Sequence, residues 1–180
     1  MRYHLTHRVV TQSAAATQAL GQLLGQSLHS GQIVALSGDL GAGKTTLTQG
    51  IGRGLGIRER ITSPTFTLVN EYAGQDGVTL IHTDSYRLGE MRSADGADDE
   101  DSASLEAATF GMEEILDRPD AVIVIEWAER LRSLLPDDYL EVRLAQLPDD
   151  DDGREIVFIP HGPMAAESVG RIIDAHPKST

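Results

Sequence analysis

The run Gly38-Asp39-Leu40-Gly41-Ala42-Gly43-Lys44-Thr45-Thr46 has the spacing G-x-x-x-x-G-K-[ST] through Gly38, Gly43, Lys44 and Thr45. In 180 residues with 18 glycines such a match arises by chance about 0.003 times. Glycines at this spacing let successive backbone N–H groups face one anion, and the helix that follows adds its positive end. Lys44 would then bridge the β- and γ-phosphates of a nucleotide, with the Thr45 hydroxyl at a Mg²⁺ position. The plainer alternative is a glycine-rich turn opening an ordinary helix.

A phosphate loop needs a carboxylate near its metal, usually at the end of a neighbouring buried strand. Glu126 follows the apolar run Ala121 to Ile125, and Asp84 closes Val78 to Thr83. Glu126 is the preferred metal ligand, directly or through water. Asp84 then orients the metal shell or the attacking water, although the two roles are interchangeable at this level. Ser63, Pro64 and Thr65 form a hydroxyl-rich stretch in which the proline restricts its neighbour. Such a segment can order around a γ-phosphate and loosen without it, or simply start a strand. His82 reads more readily as a core or hydrogen-bonded histidine than as a base. Trp127, the one tryptophan, is a packing or a partner residue, and Arg87 or Arg130 is a candidate for stabilising transition-state charge.

These residues need elements to hold them. Leu20, Leu23, Leu24 and Leu28 predict a helix with one buried face, with Thr11 or Ser13 as N-cap. Gln32 to Ser37 predicts a buried strand and Lys44 to Leu55 a helix closed by Gly56. Gly50, Gly52 and Gly54 inside that helix cost about 1 kcal/mol each relative to alanine, so it requires tertiary packing. Phe66 to Ala73 and Val78 to Asp84 predict a strand pair around a turn, and Leu105 to Leu116 a helix. Ala121 to Ile125, Tyr139 to Leu144 and Arg154 to Pro160 predict strands, and Gly162 to His176 a closing helix. Thr11 and Ser13 fall near the expected nucleotide edge. Helices alternating with buried strands define an α/β fold, with a mostly parallel central sheet flanked by helices in a single domain over residues 1–180.

Net charge is −13, but nine acids lie in two short runs: Asp95, Asp98, Asp99, Glu100 and Asp101, then Asp149 to Asp152. Without them the balance is −4. The runs read as solvated loops, the first within an acidic insertion at about 93–104 that is expected to be disordered. No basic footprint for a phosphate backbone is present, so direct nucleic-acid binding is disfavoured. There are no cysteines, and the longest aliphatic run is far short of the roughly 20 residues that span a bilayer. The N-terminus has no apolar core of a signal peptide. A soluble, cytoplasmic protein is expected.

Taken in order and at these separations, GDLGAGKTT, SPTFTLVNEY, HTDSYRL and IEWAERL resemble the TsaE (YjeE) family. The likeness runs from about Gln12 to Pro160 and includes Gly153-Arg154 between the last two strands. It implies a P-loop fold that binds Mg-ATP and is a weak ATPase alone. It also implies association with TsaD and TsaB, which transfer a threonylcarbamoyl group to adenosine 37 of tRNAs reading ANN codons, with ATP hydrolysis supporting repeated turnover. Carried over by the resemblance, Gly38 to Thr46 form the phosphate loop and Thr45 and Glu126 hold the metal. Asp84 is a required acid, Ser63-Pro64-Thr65 the switch, and Trp127 the family's tryptophan.

Three departures stand out: Thr83 and Ser85 where bulkier apolar residues are usual, Ala128 where proline is common, and the acidic insertion. Other classes share the phosphate loop. A small-molecule kinase would usually carry an arginine-rich lid, but the one candidate, Arg92 to Ser104, is acidic. A GTPase would show N-K-x-D, and none is present. A non-catalytic ATP-dependent interaction module is the remaining alternative.

Overall fold

The computed structural model describes residues 6–65, 67–87 and 111–175. Phe66, the first half of the 105–116 helix, the acidic insertion and the last five residues therefore lie outside the described residues. Strands β1 (His7–Thr11), β2 (Ile33–Ser37), β3 (Val69–Ala73), β4 (Thr79–Asp84), β5 (Ala121–Glu126), β6 (Tyr139–Leu147) and β7 (Asp150–His161) form one sheet in the order β1-β7-β6-β2-β5-β4-β3. The strands β6, β2, β5 and β4 pair in parallel; β6 also pairs antiparallel with β7 and so opens an antiparallel extension of β6, β7 and β1, and β3 pairs antiparallel with β4 at the other margin. Helices α1 (Ala14–Ser27), α2 (Lys44–Gly54), α3 (Met112–Leu116) and α4 (Pro163–Ala175) cover it.

The period-two alternation of β2 and β5 divides the core between two faces. Val34, Leu36, Val122 and Val124 point toward Leu20, Leu24, Leu47, Ile51, Val169 and Ile172 of α1, α2 and α4. Ile33, Ala35, Ile123 and Ile125 meet Met112 of α3 and Leu131 of a 3₁₀ segment, Ala128–Leu134, on the other side. Covered on both faces, β5 is buried at all six positions, which is why its sequence runs apolar without alternation.

The glycines of α2 have a packing reason. A Cβ on Gly50 would lie 2.2 Å from the Gln18 carbonyl oxygen, and one on Gly54 2.3 Å from that of Gln22. Gly21 and Gly25 of α1 return the arrangement against Leu47 and Ile51. The two helix backbones touch, so the propensity penalty is offset by close packing beneath the sheet's key helix. Ser13 caps α1 by accepting from the Ala16 N–H at 3.1 Å, whereas Thr11 belongs to β1 and bonds Thr17. Gly56, at φ +76°, follows the end of α2 as expected.

Two expectations change. The second aspartate run is not a loop: Asp150, Asp151 and Asp152 belong to β7, and the hairpin to β6 turns at Pro148 and Asp149. This hairpin end projects beyond the covered part of the sheet, where strand side chains remain in water and charge carries little cost. Strand β1 had no counterpart in the sequence reading.

Candidate functional site

The C-terminal ends of β2, β4 and β5 lie side by side, and each delivers one part of the site. The loop after β2 holds Gly38, Gly41 and Gly43 at φ +138°, +80° and +101°, a left-handed path that glycine adopts without strain. It feeds directly into α2 at Lys44. Gly38 is required twice, because a Cβ there would also sit 2.1 Å from the Leu144 carbonyl oxygen of β6. A Cβ on Gly41 would meet nothing within 4 Å, so that side of the loop is clear. Asp39, Leu40 and Ala42 complete the curve: Ala42 is buried and donates its N–H to the Asp39 carbonyl, while Leu40 is exposed.

Lys44 lies back along the loop. Its Nζ donates to the carbonyls of Gly38 at 2.6 Å and Asp39 at 3.0 Å and sits 3.7 Å above the Trp127 ring. Burial pushes its ammonium below the ordinary value, against the opposing pull of Glu126, Glu129, Asp84 and Asp39. Thr45 Oγ1 donates to Glu126 Oε2 at 3.0 Å, and Thr46 lines the same cavity of about 290 Å³.

Asp84 and Glu126 are direct neighbours in the β4–β5 register. Glu126 is 3% exposed, and its second oxygen accepts from His82 Nε2 at 2.8 Å. A carboxylate only accepts, so His82 carries its proton on Nε2 in this pairing. Asp84 Oδ2 accepts from both Ser63 and Thr65 hydroxyls at 3.0 Å, and Oδ1 from the Tyr86 N–H at 2.8 Å. Pro64 is buried between the two hydroxyl residues and its carbonyl accepts from Leu68 N–H. The structure thus brings together the loop, both acids, the Ser63–Thr65 segment and Trp127, whereas Thr11, Ser13, Arg87 and Arg130 are not among the residues that line the cavity.

Trp127 takes φ +61°, a conformation costly for a large side chain, and its ring packs on Tyr86 at 4.9 Å. Ser85 holds this turn, donating to the carbonyls of Glu126 at 3.1 Å and Trp127 at 2.7 Å. Ser85 is thus a tie between β4 and β5 rather than a gap in the family pattern. Arg130 donates to the Tyr86 carbonyl at 2.7 Å and covers its ring, so it braces the aromatic pair. His82 is the buried, hydrogen-bonded histidine expected, and its partner Glu126 shows that it orients that acid. One contact escaped the sequence. Arg154, paired with Thr11 across β7 and β1, donates to the Gly41 carbonyl at 3.1 Å. Only Gly153-Arg154 in the motif hinted at that reach.

The site fits a nucleotide with a hard cation. A hydroxyl and a carboxylate stand 3.0 Å apart beside a second carboxylate. Among the described residues no cluster of three or more His, Cys, Asp or Glu forms a self-sufficient metal cage. Mg²⁺ commonly takes one or two protein ligands and completes its shell with phosphate and water.

A phosphate-type loop between a central parallel strand and a helix, with two strand-end acids facing it, defines an α/β protein of the P-loop class. The family model described as threonylcarbamoyl adenosine biosynthesis protein TsaE matches residues 11–156, and the chain belongs to that family. A tRNA threonylcarbamoyladenosine biosynthesis protein TsaE from Nostoc sp. is 41% identical over 81% of this chain and 80% of its own. The Treponema pallidum protein of the same name is 39% identical over 83% and 97%. A crystal structure of Bacillus subtilis YdiB superposes with a TM-score of 0.74 at 29% identity, covering 96% of this chain and 97% of that one. The family places the chain in tRNA threonylcarbamoyladenosine biosynthesis.

Proposed function

We propose that the chain is a cytoplasmic Mg-ATP-binding ATPase, weak alone, that works with TsaD and TsaB to support threonylcarbamoylation of tRNA at adenosine 37. The observation that carries this reading is the convergence of Lys44, Thr45, Asp84 and Glu126 at one mouth of the sheet. Thr45 and Glu126 would hold the Mg²⁺, which when bound neutralises charge on the β- and γ-phosphates. The loop N–H groups and Lys44 bind the phosphates. For Lys44 this means leaving the Gly38 and Asp39 carbonyls for phosphate oxygens, a short rotation of a side chain already at the mouth. Asp84 holds or accepts from the attacking water once Ser63 and Thr65 turn away from it. Those two hydroxyls thereby report the state of the site to the 62–65 segment.

The test is phosphate release from Mg-ATP by the purified protein, alone and with TsaD plus TsaB, with Lys44→Ala as control. Slow release that rises with the partners and is absent in the variant is expected. Release indifferent to partners, or a Lys44→Ala protein as active as the parent, overturns the reading. Transfer of phosphate to a small acceptor instead of water would make the protein a kinase.

A further inference from the structure

In a chain of net charge −13, nine of the twelve described lysines and arginines are engaged. Arg8, Arg118, Arg132, Arg143 and Arg171 pair with carboxylates, Lys44, Arg130 and Arg154 with carbonyls, and Arg87 also has a partner. Among the described residues, Arg53, Arg58 and Arg60 are the exceptions. All three are exposed, and they line one open cleft of about 370 Å³ whose floor is Ile57 and Ile61.

We propose that this cleft docks an acidic segment of a partner protein, whose carboxylates pair with the three guanidiniums and so tie assembly to the nucleotide site. The inference rests on the partner-dependent reading above. Guanidinium and carboxylate match in a two-pronged geometry that fixes orientation as well as charge. An extended nucleic acid is a poorer occupant. Among the described residues the unpaired guanidiniums span a single cleft, Glu59 stands within it, and a long polyanion would run onto a molecule of strongly negative charge.

The cleft is wired to the site at both ends. Arg53 stands on α2, the helix that begins at Lys44. Gln49 of the same helix donates to the Ile61 carbonyl at 3.0 Å and is itself held by Gln18 of α1. Ser63 and Thr65, which bond Asp84, follow Ile61 by two and four residues. A segment that grips Arg58 and Arg60 therefore fixes the chain that carries the switch hydroxyls, and one that also grips Arg53 fixes it relative to the phosphate loop.

The full-length protein and an Arg53→Gln, Arg58→Gln, Arg60→Gln variant would be titrated with purified TsaD–TsaB, with a hexaglutamate peptide and with unmodified tRNA, and basal phosphate release measured in parallel. Arg118→Gln, which removes a half-buried, ion-paired arginine elsewhere, serves as control. The expected result is at least about tenfold weaker binding of TsaD–TsaB and of the peptide by the triple variant, with unchanged basal release and thermal midpoint. Equal binding of TsaD–TsaB by parent and variant overturns the proposal. So does a loss confined to tRNA, which would make the cleft an RNA contact. If the parent binds the peptide through these arginines but not TsaD–TsaB, the cleft stands and the choice of partners falls. If it binds neither, the cleft proposal falls.

Discussion

The parallel centre of the sheet and its antiparallel extension are built from different sequence patterns and do different work. In β2 and β5 nearly every residue is buried, because helices lie above and the 128–134 segment with α3 lies below. In β1 burial alternates strictly, and β7 exchanges ion pairs with its neighbours, Arg8 with Glu155 and His161 with Glu141. Parallel strands end together at one edge, so Gly38, Asp84 and Glu126 arrive at one place without further design. Antiparallel hairpins send successive ends in opposite directions and gather no such cluster. What the extension supplies is a wall: the Leu144 carbonyl against Gly38, and Arg154 against Gly41.

Breaking the seam between the two regions should have the largest effect. Gly38→Ala adds a methyl against the Leu144 carbonyl at a backbone angle that L residues avoid. A loss of about 3 kcal/mol of stability is expected, with phosphate release abolished. Urea unfolding measures it, and Gly41→Ala, with open space around its Cβ, should lose only about 1 kcal/mol. Equal stabilities for the two variants would show that the wall does not constrain the loop. Within the parallel region alone, Glu126→Gln keeps the side-chain shape and removes the charge. Phosphate release should fall about 100-fold with the circular dichroism spectrum unchanged. Full turnover by a folded Glu126→Gln protein refutes its place at the metal.

The same contrast explains what could be read from the sequence. Continuous apolar runs bounded by glycine or acid mark β2 and β5 and so place Gly38 and Glu126 at strand ends, while the loop itself is legible in its glycine and lysine spacing. Strand β1 was hidden because its buried face is His7, Val9 and Thr11, with a single aliphatic residue to reveal the alternation. Charge signals a loop only where strands are covered, and at Asp150 to Asp152 the strands outrun their cover, so the end of the hairpin is not legible in the sequence. His82 and Ser85 act through contacts to Glu126 and to the Trp127 turn that need the β4–β5 register, which composition does not encode.

Arg154 is where the extension touches the site. Its guanidinium spans the carbonyls of Gly41, Asp151 and Gly153, tying the hairpin end to the phosphate loop. Arg154→Met should raise KM for ATP about fivefold and leave kcat within about twofold, because it loosens the cradle without touching the acids. Steady-state phosphate release over a range of ATP concentrations separates these outcomes. A drop in kcat alone would place Arg154 in the chemistry instead. Arg154→Lys should rescue little, as an ammonium cannot span three fixed carbonyls.

The smallest effect lies under the sheet, where one carboxylate from each region faces a single small cavity: Glu129 of the segment after β5 and Glu141 of β6. Burial pushes Glu129 up, only partly offset by its backbone hydrogen bond and by Lys44, Arg130 and Arg132, and its Oε2 has no hydrogen-bond partner among the described residues. Burial also pushes on Glu141, but hydrogen bonds from Arg143 and His161 prevail and hold it below its ordinary value. The signs are therefore opposite. A raised carboxyl favours folding at pH below its unfolded value, near 4.5, and disfavours it as pH rises through the folded value. Glu129→Gln should accordingly stabilise the protein at pH 7, with the gain fading as pH falls toward 4. A depressed carboxyl contributes above the unfolded value and loses its contribution as pH falls through the folded one, so Glu141→Gln should destabilise at pH 7 and converge on the parent in acid. Each difference should be below about 1 kcal/mol, because the arginines around both groups are half exposed and screened. Thermal midpoints at pH 4 and 7 give both slopes, and slopes of the same sign would mean that the two regions do not impose different environments on the cavity they share.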